Sequence, residues 1–521
     1  MDYPPKRWHG VAIVVCIAAV YFGAVTDQWW PTPDSALYQG LGRSLVHGEG
    51  YRFNGQVNND VTPGLPMILA GLRWAFGDGF LAPNLFVTAC GLASLLLAYA
   101  SLARLADRRT ALAVALATAC CFKYFHYSHL ILTDLTFSAL LWALVYVTVR
   151  FLQGSAAWLP LAGAIAAAAV AVRAPGLLIL APLAAGVVLD RRSRATRGRR
   201  LMAGGAILVA VGATAAAFLW LARRVSEKTP VYVNPKIVDS SVLDRAARLG
   251  AALRQLPEVV ARMYSAQNSA ILGTVLVLLA VAGMARLWRS RRRLSAATCA
   301  LCVVASGLVG GGGAVRTRYM IALFPMGLLL IVHGLWWLIE LAYRARSKPM
   351  PAIARLVAMN VFVAILIVVN VPKMVRDTVQ GAYEAYRGRY YEVIEHGKFA
   401  DLPAVARFLR ENFDRQTPIA MRRDRVSILH LLSERRTVGF LKTPRRTAAE
   451  AETVYSDLLA GDVRTIVHDT WGVNRAFADR LSALLEGTGG IERIFDGRIC
   501  RIYRRVRRPP RATGPATRPT R

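Results

Sequence analysis

The chain has 521 residues, of which 55% are hydrophobic and 19% are charged, and its mean hydropathy is +0.36. Ordinary soluble domains carry about 25% charged residues, so this composition excludes a string of soluble domains and predicts a polytopic membrane protein. A formal net charge of +33 would suggest a nucleic-acid-binding protein if the chain were soluble. Here the basic residues lie between apolar segments, and we therefore predict no nucleic-acid partner.

Eleven apolar segments are candidates for membrane spans, because a bilayer core of about 30 Å is crossed by about 20 helical residues. They lie near residues 8–25, 80–103, 110–122, 131–149, 158–172, 175–189, 201–222, 269–288, 296–314, 319–342 and 353–372. The first segment lacks a small-residue cleavage site, so we predict a retained anchor and not a removed signal peptide.

The arginines between the segments predict the orientation. Six arginines lie within residues 191–200 and five within residues 286–293, on the same side as the amino terminus. Lys and Arg are concentrated in cytoplasmic loops, so the amino terminus is predicted to be cytoplasmic. An odd number of spans then places the chain after residue 372 on the outer face.

The composition changes after the last apolar segment, where helical and strand patterns alternate. We therefore predict a membrane module in residues 1–372, an outer α/β domain in residues 373–506 and a disordered basic tail in residues 507–521. Within the α/β domain the patterns predict helices at 402–412, 426–433, 448–459 and 475–486, strands at 418–421, 437–441 and 463–468, and one or two strands at 491–503. His430, His468 and Asp469 are interpreted as fold residues.

Two segments outside the membrane, residues 26–79 and 223–268, are too long to be simple connections. Long ordered loops often carry function. The first contains helical patterns at residues 35–47 and 65–76 with apolar residues on one side, which predicts helices that lie along the membrane surface.

Asp34 is the first candidate for chemistry. It follows the Trp29-Trp30 pair and lies at the start of the first surface helix. One interpretation is an N-cap, because Asp accepts hydrogen bonds from the first free N–H groups of a helix. The other is a carboxylate that accepts a proton from a hydroxyl at the outer membrane surface, and one residue could do both.

Asp134 is the second candidate and lies in the first turn of the fourth predicted span. A carboxylate at the centre of a membrane span costs about 2.5–3.5 kcal/mol, so such residues are functional candidates, although a helix cap is an equal alternative. The preceding loop adds Lys123, His126 and His129 on the same face. The two histidines could bind a divalent metal. Because no strong ligand set accompanies them, we predict that no metal or other cofactor is needed.

Arg173, Arg316 and Arg318 lie at the outer ends of later spans. Arginines there can extend to the interface without a specific role, or can grip a phosphate with two hydrogen bonds. Carboxylates and guanidinium groups on one membrane face favour a reaction between a lipid phosphate and a hydroxyl. The cations would stabilise the leaving phosphate while a carboxylate takes the proton of the hydroxyl.

Several motifs together resemble those of a known superfamily. They are Asp34-Ser35-Ala36-Leu37-Tyr38, Leu45-x-x-Gly48-x-Gly50-Tyr51, Thr62-Pro63-Gly64-Leu65-Pro66-Met67-Ile68-Leu69, Phe76-Gly77, Asp134 at the head of a span, Val172-Arg173-Ala174-Pro175-Gly176, and Arg318-Tyr319 followed by Pro325. The chain resembles the GT-C membrane glycosyltransferases, which include protein O-mannosyltransferases and lipid A aminoarabinose transferases. It is most similar to the bacterial branch related to lipopolysaccharide-core sugar transferases.

This resemblance implies inverting transfer of a sugar from a polyprenyl-phosphate donor to a hydroxyl of a lipid, glycan or protein at the outer face of the bacterial inner membrane. It implies that Asp34 is the base, that Asp134 positions the donor or the acceptor, and that Arg173, Arg318 and Tyr319 hold the phosphate. The other expected substrate-binding residues are Tyr38, Asp60, Lys123, His126, His129 and Arg316.

Two departures from the family pattern stand out. Many relatives carry adjacent acidic residues where this chain has Asp34-Ser35, so Asp34 acts alone or with Asp60. A double proline is common where this chain has Pro63-Gly64.

The alternative functions are a lipid or sugar transporter, which would place charges near the middle of several spans, and an assembly factor that only binds envelope polysaccharide.

Overall fold

The computed structural model describes residues 7–58, 61–174, 177–189, 195–225, 242–264, 269–289, 317–347, 349–393, 398–422, 425–441, 449–460, 463–470, 475–487 and 490–506. The chain divides into two compact units. The first comprises Met1–Trp29, Leu45–Gly50 and Val57–Tyr383, and the second comprises Trp30–Ser44, Tyr51–Gln56 and Glu384–Arg521. Asp34 therefore belongs to the second unit, whereas Asp134, Arg173 and Arg318 belong to the first.

The part of the chain before the carboxyl-terminal sheet is mainly helical. Its elements are α1 (Arg7–Gly23), α2 (Pro33–Val46), β1 (Arg52–Phe53), β2 (Gln56–Val57), α3 (Gly64–Phe76), α4 (Leu81–Leu105), α5 (Arg108–Ala119), α6 (Phe122–Tyr127), α7 (Thr133–Leu152), α8 (Trp158–Val172), α9 (Leu177–Leu189), α10 (Arg197–Val225), α11 (Val242–Tyr264), α12 (Ala270–Arg289), α13 (Thr317–Met320), a 3₁₀ turn at Ile321–Leu323, α14 (Phe324–Ala345) and α15 (Ala352–Tyr386).

Six helical segments within the described residues are long and apolar enough to cross a membrane. They correspond to the predicted spans at 80–103, 131–149, 201–222, 269–288, 319–342 and 353–372. Shorter apolar helices lie at three further predicted spans, 8–25, 158–172 and 175–189. The span at 110–122 corresponds to α5, whereas the span at 296–314 lies outside the described residues. The total of eleven spans stays a prediction.

Small residues allow the long helices to approach closely. A Cβ atom on Gly283 of α12 would lie 1.9 Å from the carbonyl oxygen of Leu330 in α14, and one on Gly334 of α14 would lie 1.9 Å from that of Leu279. Such small-residue contacts are typical of helix packing in membranes, where van der Waals contact replaces the hydrophobic effect. A polar contact also joins two of these helices: the hydroxyls of Ser94 in α4 and Ser138 in α7 lie 2.7 Å apart, within hydrogen-bond distance.

Helix α15 continues beyond the last predicted span, through Pro372 and Lys373 to Tyr386. The sequence patterns placed the start of the α/β domain at residue 373, where the apolar composition ends. The helix does not end there, because polar residues such as Arg376 and Asp377 can continue its backbone hydrogen bonds. Hydropathy therefore marks the end of the apolar surface and not the end of the helix.

The second unit contains an α/β fold with a five-stranded sheet. Its elements are α16 (Tyr390–Val393), α17 (Leu402–Asn412), β3 (Ile419–Arg422), α18 (Val426–Ser433), β4 (Thr437–Leu441), α19 (Ala449–Ala460), β5 (Thr465–Asp469), α20 (Arg475–Glu486), β6 (Ile491–Asp496) and β7 (Cys500–Arg505). The strand order is β4-β3-β5-β7-β6, with β4, β3 and β5 parallel and the last two strands antiparallel. The element order predicted for residues 402–503 is confirmed, and the predicted one or two final strands are two, Ile491–Asp496 and Cys500–Arg505.

The second unit also includes α2 and the hairpin formed by β1 and β2. The Asn54-Gly55 turn has positive φ at both residues, as a tight hairpin turn requires. The side-chain amide of Asn54 exchanges two hydrogen bonds with the backbone of Thr437 (2.6 and 2.9 Å), and Arg43 of α2 pairs with Glu434 at 3.0 Å. The helix that carries Asp34 is therefore held by the α/β domain.

The residues interpreted as fold residues have structural contacts. His430 Nδ1 lies 2.7 Å from the carbonyl oxygen of Arg435, and its Nε2 accepts the N–H of Asn54 at 3.2 Å. His468 Nε2 lies 3.3 Å from the carbonyl oxygen of Ala478. Asp469 forms a buried ion pair with Arg425 at 3.1 Å. These contacts support the interpretation, because each side chain joins two elements of the α/β fold.

Candidate active site

The first unit contains a buried carboxylate between two arginines. Asp134 lies in the first turn of α7 and is 2% exposed. Its Oδ1 accepts a hydrogen bond of 2.5 Å from Nη1 of Arg173, which also donates to Oγ1 of Thr133 at 3.2 Å. Its Oδ2 lies 3.7 Å from Nε of Arg318, within ion-pair distance but beyond a hydrogen bond. The structure therefore brings together three of the residues predicted from the sequence.

The group contains two guanidinium groups and one carboxylate. Both arginines are mostly buried, because the Arg173 side chain is 8% exposed and that of Arg318 is 19% exposed. A cation in a low-dielectric site attracts an anion more strongly than it would in water. A phosphate could receive paired hydrogen bonds from the guanidinium groups. The group is therefore suited to hold a phosphate.

Arg173 owes its position to the end of α8. It is the C-cap of that helix, and its N–H donates to the carbonyl oxygen of Ala169 at 3.0 Å. The start of α3 packs directly on this end, because a Cβ atom on Gly64 would lie 2.6 Å from the carbonyl oxygen of Ala171 and 2.7 Å from the amide nitrogen of Val172. This close approach explains why a glycine stands in the Pro63-Gly64 motif.

We expect Gly64→Ala to lower activity by moving Arg173. The added methyl group meets backbone atoms, so α3 or the end of α8 must shift, and a misplacement of about 1 Å can cost about 100-fold in rate. Gly71→Ala in the same helix is the matched control, because a Cβ there has open space around it. The measurement is the kcat/KM of each purified variant for the donor expected from the sequence. Equal activity of the two variants would contradict the positioning role.

Arg318 lies in α13, at the start of the segment that continues into α14. This segment is fixed to α7 by the indole N–H of Trp142, which donates to the carbonyl oxygen of Ala322 at 3.0 Å. Arg316 and Asp60 lie outside the described residues, as does the side chain of Tyr319. Their predicted roles in substrate binding stay predictions.

The loop before α7 separates its two histidines. Both ring nitrogens of His129 face carbonyl oxygens, Nδ1 that of Phe125 at 2.9 Å and Nε2 that of Tyr21 at 3.0 Å. His126 instead stacks on Phe122 with ring centroids 5.8 Å apart. Burial, followed by the charges of Lys123, His129 and Lys373, lowers the pKa of His126 to about 3. His126 is therefore neutral at physiological pH, and His129 acts as a structural link between this loop and α1.

No group of three potential metal ligands occurs among the described residues. His129 is committed to carbonyl oxygens, and Asp134 is engaged by Arg173, so neither side chain is arranged as a ligand of an ion at this loop.

Lys123 takes part in a second group of cations. The ammonium groups of Lys123 and Lys373 lie 5.8 and 4.1 Å from the ring centroid of Phe122. Burial, with the charges of Lys373 and Arg262, lowers the pKa of Lys123. Asn370 fixes the elements of this group, because its Oδ1 accepts the N–H of Phe122 at 3.2 Å and its Nδ2 donates to the carbonyl oxygen of Tyr264 at 2.9 Å.

In the second unit, Asp34 is the second residue of α2, and Tyr38 is buried one turn further along the same helix. The N-cap position is Thr32. Its Oγ1 accepts the N–H of Ser35 and the Ser35 Oγ accepts the N–H of Thr32, both at 3.1 Å. This reciprocal pair has the form of a capping box. The interpretation of Asp34 as the N-cap is therefore wrong, and Thr32 and Ser35 form the cap.

Comparisons with known proteins identify the fold. A family model described as dolichyl-phosphate-mannose-protein mannosyltransferase matches residues 60–220. The crystal structure of ArnT from Cupriavidus metallidurans bound to undecaprenyl phosphate is similar, with a TM-score of 0.59 and 14% identity over 96% of this chain and 98% of that chain. The chain has the GT-C fold.

The archaeal oligosaccharyltransferase AglB from Archaeoglobus fulgidus, solved with an inhibitory peptide and a dolichol-phosphate, also has this fold. Its TM-score is 0.55, with 13% identity over 94% of this chain and 72% of that chain. No curated protein sequence matches. The GT-C fold, together with the six long apolar helices found among the described residues, makes this chain a multi-pass membrane protein. It confirms the predicted fold class of a helical membrane protein with a carboxyl-terminal α/β domain, whereas the number of spans and the side of the membrane stay predictions.

The region that matches the family model contains some of the candidate site residues but not all of them. Asp134, Arg173 and Gly64 lie within residues 60–220, whereas Asp34 and Arg318 lie outside. Sequence reasoning missed Thr133, which accepts a hydrogen bond from Arg173. Its position immediately before Asp134 was the available signal, because the first two residues of a helix share one end of it.

Proposed function

We propose that the protein is a membrane glycosyltransferase that moves a sugar from a polyprenyl-phosphate donor to an acceptor hydroxyl at the outer face of the bacterial inner membrane. The observation that carries the proposal is the buried group of Asp134, Arg173 and Arg318, in which two guanidinium groups lie at one carboxylate, in a chain with the GT-C fold. Its amino terminus would be cytoplasmic, as the arginine-rich segments predict.

The donor is proposed from the chemistry of this group. As the bond between the anomeric carbon and the phosphate oxygen breaks, the leaving phosphate gains negative charge. Arg173 and Arg318 stabilise that charge, and such fixed charges are among the largest contributions to catalysis. The ArnT and AglB structures, solved with undecaprenyl phosphate and dolichol-phosphate, support a lipid phosphate as the ligand class.

Asp134 has a positioning role in this proposal. Its two oxygens face different arginines, so it holds both guanidinium groups while reducing their combined charge. A site with two uncompensated guanidinium groups would also hold the phosphate product tightly. One carboxylate between two arginines therefore favours both alignment of the donor and release of the product.

Asp34 is proposed as the base that takes the proton of the acceptor hydroxyl. General bases of this kind typically contribute about 10²–10⁴-fold to the rate. The cap of α2 is made by Thr32 and Ser35, so the carboxylate of Asp34 is not required to start the helix. Attack from the face opposite the phosphate would invert the anomeric centre.

The cations around Phe122 are proposed to contact the acceptor. Lys123 and Lys373 belong to the same compact unit as the buried group of Asp134 and its two arginines. They lie on two elements, α6 and α15. Their positive charge would favour an acceptor that is itself anionic. His126, which is neutral near pH 7, can add a hydrogen bond to a hydroxyl there without adding charge.

The proposal is tested by incubating purified full-length protein, reconstituted in vesicles, with a radiolabelled polyprenyl-phosphate sugar and extracted envelope acceptors. Transfer of label to an acceptor, with release of polyprenyl phosphate, is the expected result. Movement of the labelled lipid across the bilayer without transfer would instead establish a transporter. Retention of intact donor, with neither transfer nor movement, would establish a binding protein.

A further inference from the structure

The membrane unit contains a cavity of about 390 Å³ that is not part of the proposed transfer site. It lies between the first turn of α5, the last turn of α12, the second half of α14 and the start of α15. Along α14, the cavity residue Trp336 is about 18 Å from Phe324, where the segment that carries Arg318 joins the helix. The cavity is therefore near the opposite ends of these helices.

The lining of this cavity is basic. Arg109, Arg286 and Arg355 contribute three guanidinium groups, whereas Asp107 contributes the only carboxylate among its described lining residues. The Asp107 carboxylate is already used, because its two oxygens accept hydrogen bonds from the N–H and the hydroxyl of Thr110. A second carboxylate nearby, that of Glu340, lies 3.2 Å from Arg286 and 4.0 Å from Arg355.

Two guanidinium nitrogens at this site are buried and have hydrogen-bonding capacity to spare. Neither Nη1 of Arg286 nor Nε of Arg355 has a hydrogen-bond partner within the described part of the chain. Buried hydrogen-bond donors in proteins normally have an acceptor, and a bound ion is one explanation for a donor that has none in the protein. Arg286 and Arg355 come from different helices, α12 and α15, and both line the cavity, so an anion in it would contact guanidinium groups of both helices.

Part of the remaining cavity wall is apolar or aromatic. Trp336, Leu356 and Met359 line it beside the polar residues Thr110 and His333. The indole N–H of Trp336 donates to the carbonyl oxygen of Arg355 at 3.1 Å, which fixes the ring. On α15, Ile353 and Val357 are 63% and 52% exposed. A ligand with both an anionic group and hydrocarbon chains fits this combination better than a soluble anion does.

We propose that this cavity binds the phosphate headgroup of an anionic phospholipid. The acyl chains would lie against the exposed apolar side chains of α15, while Arg286 and Arg355 bind the phosphate. Basic pockets between membrane helices on the cytoplasmic side commonly bind such headgroups. The volume falls in the range of about 300–1,000 Å³ that is typical of ligand sites. The arginine-rich segments predict the cytoplasmic side for this end of the helices.

The test compares nanodiscs of phosphatidylcholine with nanodiscs in which a quarter of the lipid is phosphatidylglycerol. We expect the full-length protein to unfold at a higher temperature with phosphatidylglycerol, and to retain phosphatidylglycerol in native mass spectrometry. Arg355→Gln should weaken this retention about tenfold, since one charge-assisted contact is lost. The backbone carbonyl that Trp336 uses is unaffected by this change.

Arg289→Gln is the matched control, because Arg289 is exposed in the last turn of α12 and does not line the cavity. It removes the same charge and should leave lipid retention unchanged. Equal losses in the two variants would show diffuse attraction and overturn the proposal. Stabilisation by inorganic phosphate in phosphatidylcholine nanodiscs that equals the effect of phosphatidylglycerol would also overturn it, because the ligand would then be a soluble anion. So would the absence of any effect of phosphatidylglycerol.

Discussion

Replacement of Asp34 by Asn is expected to abolish sugar transfer while the protein still folds. The amide has nearly the same size as the carboxylate but cannot accept the proton of the acceptor hydroxyl. We expect kcat to fall by about 10²–10⁴-fold, with little change in the KM for the donor. The helix start should be preserved, because its cap is made by Thr32 and Ser35. The measurement is transfer of label from a radiolabelled polyprenyl-phosphate sugar.

The control for this variant is Asp27→Asn. Asp27 is an exposed carboxylate that lies before α2, and its Oδ1 accepts a hydrogen bond from the side chain of the neighbouring Gln28. The control should keep wild-type activity and thermal stability. If Asp34→Asn turned over at the rate of Asp27→Asn, Asp34 would not be the base, although the protein could still be a transferase.

The order of elements in the α/β domain could be predicted because the evidence for each element is local. The helix at Leu402–Asn412 and the strand at Thr437–Leu441 show their periodicities within a few residues. The partner of α2 could not be predicted in this way. Asn54 and Thr437 are separated by 383 residues, and only the fold brings the amide and the backbone together.

The candidate site shows the same division between local and distant information. Positions at helix ends placed Asp134, Arg173 and Arg318 on one face, which the sequence could indicate. The direct bond between Asp134 and Arg173 depends on how α7 and α8 pack, and the support from Gly64 depends on contact between α3 and α8. A glycine in a sequence shows that a side chain is absent, but it does not show which backbone approaches it.

Arg173→Gln is expected to have the largest effect on use of the donor. The change removes a charge-assisted contact worth about 1.5–3 kcal/mol, which corresponds to a loss of about 10–150-fold in donor kcat/KM. It also leaves Asp134 buried with Arg318 at 3.7 Å as its remaining ion-pair partner among the described residues. Breaking one side of a buried ion pair is strongly destabilising, so the unfolding temperature in detergent should fall as well.

The double variant Asp134→Asn with Arg173→Gln separates these two effects. The double variant no longer buries a carboxylate that has lost Arg173, so the unfolding temperature should rise above that of Arg173→Gln. Donor kcat/KM should stay low, because the cation that stabilises the leaving phosphate is still absent. Arg376→Gln, at an exposed arginine paired with Asp377, serves as the control for loss of one charge. Recovery of transfer together with stability in the double variant would show that Arg173 only neutralises Asp134, and the phosphate would then have to bind elsewhere.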